Sequence, residues 1–298
     1  MPPRLQAFLA VVLWGVSFVA TKAALREVSP VTLIFSRSAL GTALLLVTLA
    51  VRRRPLVPPP AAWGPLALMG FVGVCFHQLL QAFGIRLTTA VHAGWIVGLI
   101  PIWSAVLAAL FLRERFGTGK LAGLVLGFAG AVLVVTRGRA TPGLLALPAT
   151  RGDLLMLAST LNWAVYTTLG HATIRRLGSL RATAGAMFLG GLMLLPPFLR
   201  AGGWREYAAL SGTGLAAVLY LGIGASGLGY LFWYGALEKV ETSRVAAFLY
   251  LEPLVTLAAA VALLHEPVGL ATVAGGVLVL AGVALVQRAP ARPAAAAR

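Results

Sequence analysis

Long apolar runs, separated by short polar or basic segments, follow one another along almost the whole chain. Each run of about 18–25 uncharged residues is long enough, at about 1.5 Å per residue, to cross a hydrocarbon layer of about 30 Å. Strand-like alternation is absent, which argues against an outer-membrane barrel. The pattern therefore predicts an all-α polytopic membrane protein with ten spans, at residues 5–24, 30–51, 64–85, 90–112, 119–136, 153–172, 181–199, 213–235, 242–264 and 269–287.

Residues 242–287 resemble an earlier stretch of the same chain, displaced by 152 residues. Leucine, valine and alanine coincide by chance in membrane sequences, but proline, glutamate and glycine have special backbone or charge requirements. The coincident positions are Pro253 and Pro101, Glu266 and Glu114, Gly269 and Gly117, Gly275 and Gly123, and Gly282 and Gly130. This register predicts an internal duplication. The predicted units are a first repeat at 1–136, a linker at 137–152, a second repeat at 153–287 and a disordered tail at 288–298.

The basic residues predict the direction of the spans. With a cytoplasmic N-terminus, 15 Lys and Arg lie inside and 8 outside, with Arg37 left within a span. The positive-inside bias therefore puts both termini in the cytoplasm. The expected location is a bacterial inner membrane. Because each repeat has five spans, the two repeats run in opposite senses. Inverted repeats around a midplane site are the architecture of many secondary transporters.

Composition narrows the function classes further. The 59% hydrophobic residues and 11% charged residues exclude a soluble domain, and the net charge of +16 comes from arginines between spans rather than from a nucleic-acid surface. Eight acidic residues and four histidines, scattered along the chain, argue against a membrane enzyme or a metal site. A channel would need a polar pore stripe, which is not visible. No GxxxxGK[ST] loop is present, so we expect no nucleotide-driven transport and no cofactor.

Three stretches carry a resemblance to a known family. Residues 13–46, LWGVSFVATKAALREVSPVTLIFSRSALGTALLL, resemble the opening helix pair of EamA-type carriers in the drug/metabolite transporter superfamily. Residues 229–285 resemble the closing block of that family, and residues 81–135 the same block of its first half. The resemblance implies a carrier of amino acids, metabolites or drugs, and the aromatic layout is similar to YddG-type aromatic amino-acid exporters. One departure is Ile100, which stands where the second half has Glu252.

Two prolines and two charges lie inside predicted spans. Pro101 and Pro253 fall in mid-span, where proline removes a helix hydrogen bond, so they are either static kinks or hinges for alternating access. Glu252 is the carboxylate nearest the centre of a span; it fits a proton carrier, a partner for a substrate ammonium, or a neutral group bonded to the break beside Pro253. Arg37 offers a bidentate fork to a carboxylate, either of the protein or of a substrate.

Polar and aromatic side chains complete the candidate site. His77 and Gln81 lie one turn apart in the third span, on a face that should meet water or ligand. Aromatic residues suit a site that stacks flat apolar or cationic groups, although lipid contact and packing are the alternatives for each. The aromatic candidates are Trp14, Trp95, Trp163, Tyr166, Tyr230, Tyr234 and Tyr250.

These observations together predict a secondary carrier that exports small metabolites, with amino acids, and aromatic ones in particular, as the favoured substrates. A multidrug, cation or other metabolite carrier of the same fold is the alternative, and an integral membrane enzyme is the remote one. The expected partners are a small molecule and the bilayer. The sequence does not distinguish a monomer from a dimer.

Overall fold

The fold is helical throughout the part of the chain that this computed structural model describes, residues 1–112, 117–138, 148–239, 245 and 247–288. Strands are absent from those residues. The helices are α1 (Pro3–Ala24), α2 (Pro30–Val51), α3 (Pro60–Leu87), α4 in two segments (Ala90–Val97 and Ile100–Leu112), α5 (Thr118–Thr136), α6 (Pro148–Leu177), α7 (Ser179–Arg200), α8 (Gly212–Leu237), α9 (a 3-10 turn Ala247–Leu251 and then Glu252–Leu264) and α10 (Leu270–Arg288).

Seven of these helical stretches are long and apolar enough to cross a membrane. Two shorter apolar helices, Phe248–Leu264 and Leu270–Val286, follow near the C-terminal end. The helices follow the order of the predicted spans, but α6 begins at Pro148 rather than at residue 153, so the predicted linker is shorter than expected. The predicted tail beyond Arg288 lies outside the described residues, as does the linker between residues 139 and 147.

Contacts between helices occur in equivalent pairs. If each helix of the first half, α1 to α5, is replaced by its counterpart in the second half, α6 to α10, and the reverse, one contact of a pair becomes the other. α1 packs on α9 and α6 on α4; α2 packs on α8 and α7 on α3; α3 packs on α6 and α8 on α1. The remaining main contacts join equivalent helices, α2 with α7, α4 with α9 and α5 with α10. The two halves are therefore not separate bundles, because most helices pack against helices of the other half.

Glycines let α5 and α10 approach each other closely. A Cβ added at Gly123 would lie 2.6 Å from the carbonyl oxygen of Gly282, and one added at Gly130 would lie 2.5 Å from that of Gly275. Small residues are the usual means by which helix backbones come together in membranes. The glycines of α5 and α10 therefore serve packing within the chain, between one helix of each half.

The two prolines that were expected in mid-helix lie instead at helix starts. Pro101 is in the first turn of the second segment of α4, and Pro253 is in the first turn of the α-helical segment of α9, directly after a 3-10 turn. A proline in a first turn removes no intrahelical hydrogen bond, because the first N–H groups of a helix have no partner within it. Pro101 thus follows the turn at Gly98 and Leu99, and Pro253 follows the 3-10 turn, so each lies where the regular α-helix starts. Whether either acts as a hinge stays a prediction.

Two π-helical segments lie at equivalent places in the two halves. One is Gly70–Phe76 in the middle of α3, and the other is Tyr220–Leu228 in the middle of α8. The displacement of 152 residues that relates the repeats superimposes Gly70–Phe76 on residues 222–228. Short π-helical segments inside α-helices are frequently found at functional sites. These segments are the backbone on which the candidate site is built.

Candidate functional site

Arg37 lies in the interior, on α2, and its guanidinium reaches across to the other half. Its side chain is only 8% exposed, and its Nε–H donates to Oγ of Ser226 at 3.0 Å. Ser226 belongs to the π-helical segment of α8 and is itself buried. The packing of α2 on α8 is close here, since a Cβ added at Gly41 would lie 2.8 Å from Cβ of Ser226. The structure thus holds a buried cation at the contact between the two halves.

Aromatic rings of α1 and α8 contact one another. The ring of Trp14 contacts Tyr230 edge-on, with centroids 5.4 Å apart, and Trp233 at 5.2 Å. Tyr230 in turn stacks on Tyr234 at 6.0 Å, because the two residues are one helical turn apart on α8. The Tyr234 hydroxyl hydrogen-bonds Thr183 on α7, at 2.6 Å. Trp14, Tyr230, Trp233 and Tyr234 are each partly exposed.

A second group of rings comes from α3 and α6. The His77 and Trp163 rings are 4.9 Å apart, and Trp163 and Tyr166 are 5.0 Å apart. His77 is buried, and its Nδ1 hydrogen-bonds the main-chain carbonyl of Ser159 at 3.0 Å. Because that carbonyl can only accept, Nδ1 carries the proton in this arrangement. Nε2 of His77 makes no hydrogen bond with the described residues.

Electrostatic interactions connect the two groups of rings. Tyr166 lies close enough to Tyr230 and Tyr234 to interact with both, and Arg37 lies close enough to interact with His77 and Tyr230. Glu252 on α9 interacts in the same way with Tyr230. We call this set of residues the central cluster: Trp14, Arg37, His77, Trp163, Tyr166, Tyr230, Tyr234 and Glu252. It draws side chains from α1, α2, α3, α6, α8 and α9, and so from both halves.

Glu252 opens the α-helical segment of α9 and is partly exposed. Its main-chain carbonyl accepts a hydrogen bond from Thr256 Oγ1 at 2.9 Å. Its carboxylate makes no hydrogen bond or ion pair with any residue in the described ranges. A negative charge in the first turn of a helix is stabilised by the partial positive charge of the unpaired N–H groups.

The remaining candidates are Trp95, Tyr250 and Gln81. Trp95 is 2% exposed, packs against Gly276 on α10 and belongs to the hydrophobic core, and its place at a substrate site stays a prediction. Tyr250 packs beside a separate hydrophobic cluster around Leu99 and Ile102. Gln81 is partly buried one turn beyond His77 on α3.

The repeat relates the two halves of the cluster to each other. The displacement of 152 residues brings Trp14 onto Tyr166, and Gly73 onto Ala225. The Nε1–H of Trp14 donates to the carbonyl of Ala225 at 3.0 Å, whereas the Tyr166 ring covers the Cα of Gly73, where any Cβ would overlap it. Each ring therefore rests on the π-helical segment of the opposite half. This correspondence was present in the aligned repeat and could have been found there.

A buried polar network, which sequence reasoning missed, ties the two halves at one end of the helices. The carboxylate of Asp153, fully buried near the start of α6, accepts from the Thr88 hydroxyl and from Nδ1 of His92 at 3.0 Å. Nη2 of Arg137 lies 3.7 Å from it, and Nε2 of His92 lies 3.3 Å from Oγ1 of Thr272 on α10. The signal available in the sequence was Asp153 itself, an acidic residue at the edge of an apolar span.

Glu266, between α9 and α10, adds a second link at the same end. Its carboxylate accepts the N–H groups of Ala90 at 2.9 Å and Val91 at 3.0 Å, at the start of α4. The carboxylate thereby satisfies two of the helix N–H groups that have no intrahelical partner. The described residues contain no group of three or more His, Cys, Asp or Glu side chains that could hold a metal ion.

The comparison with known proteins agrees with this fold. The profile of the EamA-like transporter family matches twice, at residues 2–136 and 150–288. An uncharacterized transporter of Archaeoglobus fulgidus is 33% identical over 279 residues, which are 93% of this chain and 94% of the relative. A probable terminal-alkyne amino-acid exporter of Streptantibioticus cattleyicolor is 30% identical over 285 residues, 94% of this chain and 91% of the relative.

The chain therefore belongs to the EamA-like transporter family. A solved crystal structure matches with a TM-score of 0.66 at 20% identity, covering 95% of this chain and 96% of that one, which shows the fold alone. The protein is thus a multi-pass membrane transporter.

Proposed function

We propose that the protein is a secondary carrier that exports small metabolites from a bacterial cytoplasm, with amino acids, and aromatic ones in particular, as its substrates. In this proposal ten spans form two inverted five-helix repeats with both termini in the cytoplasm. The substrate occupies the central cluster, and the carrier opens alternately to the two sides of the membrane.

One observation carries the proposal: aromatic rings and two opposite charges from both halves converge on the central cluster. Aromatic rings stack on flat apolar groups and on cations, and charged side chains in a membrane interior mark substrate or ion sites. The paired helix contacts and the double family match support the inverted repeat, because two similar halves can exchange conformations of nearly equal energy.

The amino-acid preference has support from two directions. The central cluster contains both a cation, Arg37, and a carboxylate, Glu252, as an amino acid requires. A relative of similar length is named as a probable amino-acid exporter. A concentration gradient supplies the energy, and proton antiport and facilitated efflux both fit a single ionisable carboxylate at the site.

Uptake into proteoliposomes tests the proposal. We would reconstitute the purified protein and measure labelled phenylalanine, tryptophan, threonine and a sugar, each with and without a pH gradient. We expect phenylalanine and tryptophan to enter faster than threonine, and the sugar to enter no faster than in empty liposomes. Trp163→Ala should reduce aromatic flux at least about tenfold, because the variant removes a ring between His77 and Tyr166.

The matched control is Trp63→Ala, since Trp63 is 39% exposed at the start of α3 and lies outside the central cluster. Equal losses in the two variants would contradict the assignment of the site. A protein that carries the sugar or a cationic drug, but no amino acid, would contradict the substrate proposal and leave the family unaffected.

A further inference from the structure

We infer that six arginines at one end of the helices form a binding surface for the headgroups of anionic phospholipids. The surface lies outside the central cluster, where α2 and α6 end and where α7 begins. We call it the basic patch: Arg52, Arg53, Arg54, Arg175, Arg176 and Arg181. Its partner is a phospholipid with a net negative headgroup, whose acyl chains stay in the bilayer beside the helices.

Helix packing brings the arginines of the basic patch together from distant parts of the chain. Leu49, near the end of α2, belongs to the same hydrophobic cluster as Ala184, near the start of α7. Leu177, at the end of α6, packs against a second cluster at the start of α3. The segment between α2 and α3 therefore lies beside the turn between α6 and α7. Across that contact, Nη2 of Arg181 donates to the main-chain carbonyl of Val57 at 3.0 Å.

The end of α2 presents three consecutive exposed arginines in a well-defined turn. The N–H of Arg54 donates to the carbonyl of Leu49 and that of Arg53 to the carbonyl of Ala50, both at 2.9 Å. These two bonds form a Schellman motif, whose left-handed residue is usually glycine. Here that residue is Arg53, with a φ of 51°. A side chain with a Cβ is disfavoured at this backbone conformation, so its presence fits a role for the arginine beyond the turn itself.

None of the six guanidinium groups forms an ion pair within the described part of the chain. The sequences of α2, α3 and α7 contain no acidic residue, and the single one of α6, Asp153, lies at its opposite end. Glu238 follows α8 at the same end as the basic patch and is likewise outside the described ion pairs. The patch therefore has six positive charges that no described carboxylate neutralises, and an anion from outside the chain would do so.

Exposed apolar side chains beside the arginines favour a lipid over a soluble anion. Val51 precedes the three arginines and is 78% exposed; Leu56 and Val57 follow them and are 49% and 71% exposed. A free phosphate ion would bind the guanidinium groups and leave these apolar side chains in water. A phospholipid offers its phosphate to the arginines and its hydrocarbon to the apolar side chains. Clusters of basic residues at the ends of transmembrane helices attract anionic lipids in this way.

Lipid binding to the purified protein tests the inference. We would titrate the detergent-solubilised protein with phosphatidylglycerol and with phosphatidylcholine of the same acyl chains, and obtain both dissociation constants by native mass spectrometry. Each basic residue near an anionic surface strengthens binding by about fivefold. We expect phosphatidylglycerol to bind about 10- to 100-fold more tightly than phosphatidylcholine, and the difference to shrink as the salt concentration rises. Glycerol phosphate, which has the same phosphate but no acyl chains, should not displace the lipid.

Two variants separate lipid binding from folding. Replacing Arg52, Arg53 and Arg54 together by Gln should weaken phosphatidylglycerol binding by at least about tenfold and leave phosphatidylcholine binding unchanged. Arg53→Gly places glycine at the left-handed position, so without lipid this variant should unfold at the same temperature as the unaltered protein or higher, yet bind phosphatidylglycerol about fivefold more weakly.

The matched control removes the same number of exposed arginines from the opposite ends of the helices. It combines Arg26→Gln, Arg86→Gln and Arg151→Gln, and its affinity for phosphatidylglycerol should stay within about twofold of that of the unaltered protein. An equal loss in the control and in the triple variant of the basic patch would assign lipid binding to overall net charge and overturn the inference.

Three other results would also overturn it: equal affinities of the unaltered protein for the two lipids, displacement of the lipid by glycerol phosphate, or undiminished phosphatidylglycerol binding by Arg53→Gly. If the triple variant does not fold, Arg53→Gly and the paired change of Arg175 and Arg176 to Gln decide the question, since the pair should also lose at least about tenfold. These measurements involve no transported substrate, so their outcome is independent of the proposed function.

Discussion

Replacing Asp153 with alanine should lower the free energy of unfolding by about 3–5 kcal/mol, because the change removes the charged acceptor of two buried hydrogen bonds. Asp153 is fully buried and accepts hydrogen bonds from Thr88 and His92. These bonds join the end of α3 and the start of α4 to the start of α6. The loss would therefore loosen the contact between the two halves at this end.

The structure also shows which partners account for the loss. The Arg137 side chain is 31% exposed and 3.7 Å from the carboxylate, so its contribution should not exceed about 1 kcal/mol. Most of the effect must come from His92 and Thr88, at about 1.5–3 kcal/mol for each hydrogen bond to a charged group. Asp153→Asn, which keeps an acceptor oxygen but loses the charge, should cost less than the alanine variant.

Equilibrium unfolding in mixed micelles, followed by tryptophan fluorescence, measures these differences. A double-mutant cycle of Asp153→Ala and His92→Ala should give a coupling energy of about 1.5–3 kcal/mol. Glu238→Gln, an exposed change at the end of α8, should stay within about 0.5 kcal/mol of the unaltered protein. A coupling energy below about 0.5 kcal/mol, or an alanine variant as stable as the Glu238→Gln control, would refute this reasoning.

Two further predictions concern the site and the ends of the helices. Gly73→Ala should displace the Tyr166 ring and reduce phenylalanine uptake several-fold. The control is Gly64→Ala on the same helix, where an added Cβ meets nothing within 4 Å, and it should leave uptake unchanged. Equal uptake by the two variants would contradict the placement of the ring. Glu27 accepts two hydrogen bonds from Ser211, at 2.7 Å each, which hold its pKa below the ordinary 4.5. A lowered carboxyl pKa adds stability that is present above pH 4.5 and is lost as the pH falls through the lowered pKa. The difference in unfolding temperature between the unaltered protein and Glu27→Gln should therefore shrink in acid. A difference that is independent of pH would exclude this role.

The helices could be predicted because their signal is local. An apolar run needs no knowledge of its neighbours to indicate a span, and the register of prolines and glycines revealed the repeat. The main error in the helix boundaries lay at α6, because polar residues at its start are buried against other helices. Asp153 and Thr150 are both fully buried, a circumstance that hydropathy alone does not show.

The sequence could suggest which residues form the candidate site but not how they are arranged. Mid-span charges and aromatic residues are unusual enough to stand out, so the sequence alone could suggest Arg37, Glu252 and Trp163 as candidates. Whether a ring lines a cavity or fills the core depends on what faces it, and Trp95 faces Gly276. The π-helical segments left no signal in the hydropathy pattern from which their places could be predicted.

Transient counterflow is the most direct test of the central claim that this chain is an amino-acid carrier. Proteoliposomes loaded with unlabelled phenylalanine are diluted into a trace of labelled phenylalanine, and the internal label is followed with time. A carrier whose central site faces each side in turn should accumulate the label above its equilibrium level and then release it. Entry that rises only to equilibrium, with no overshoot while phenylalanine equilibrates through the protein, would contradict the account.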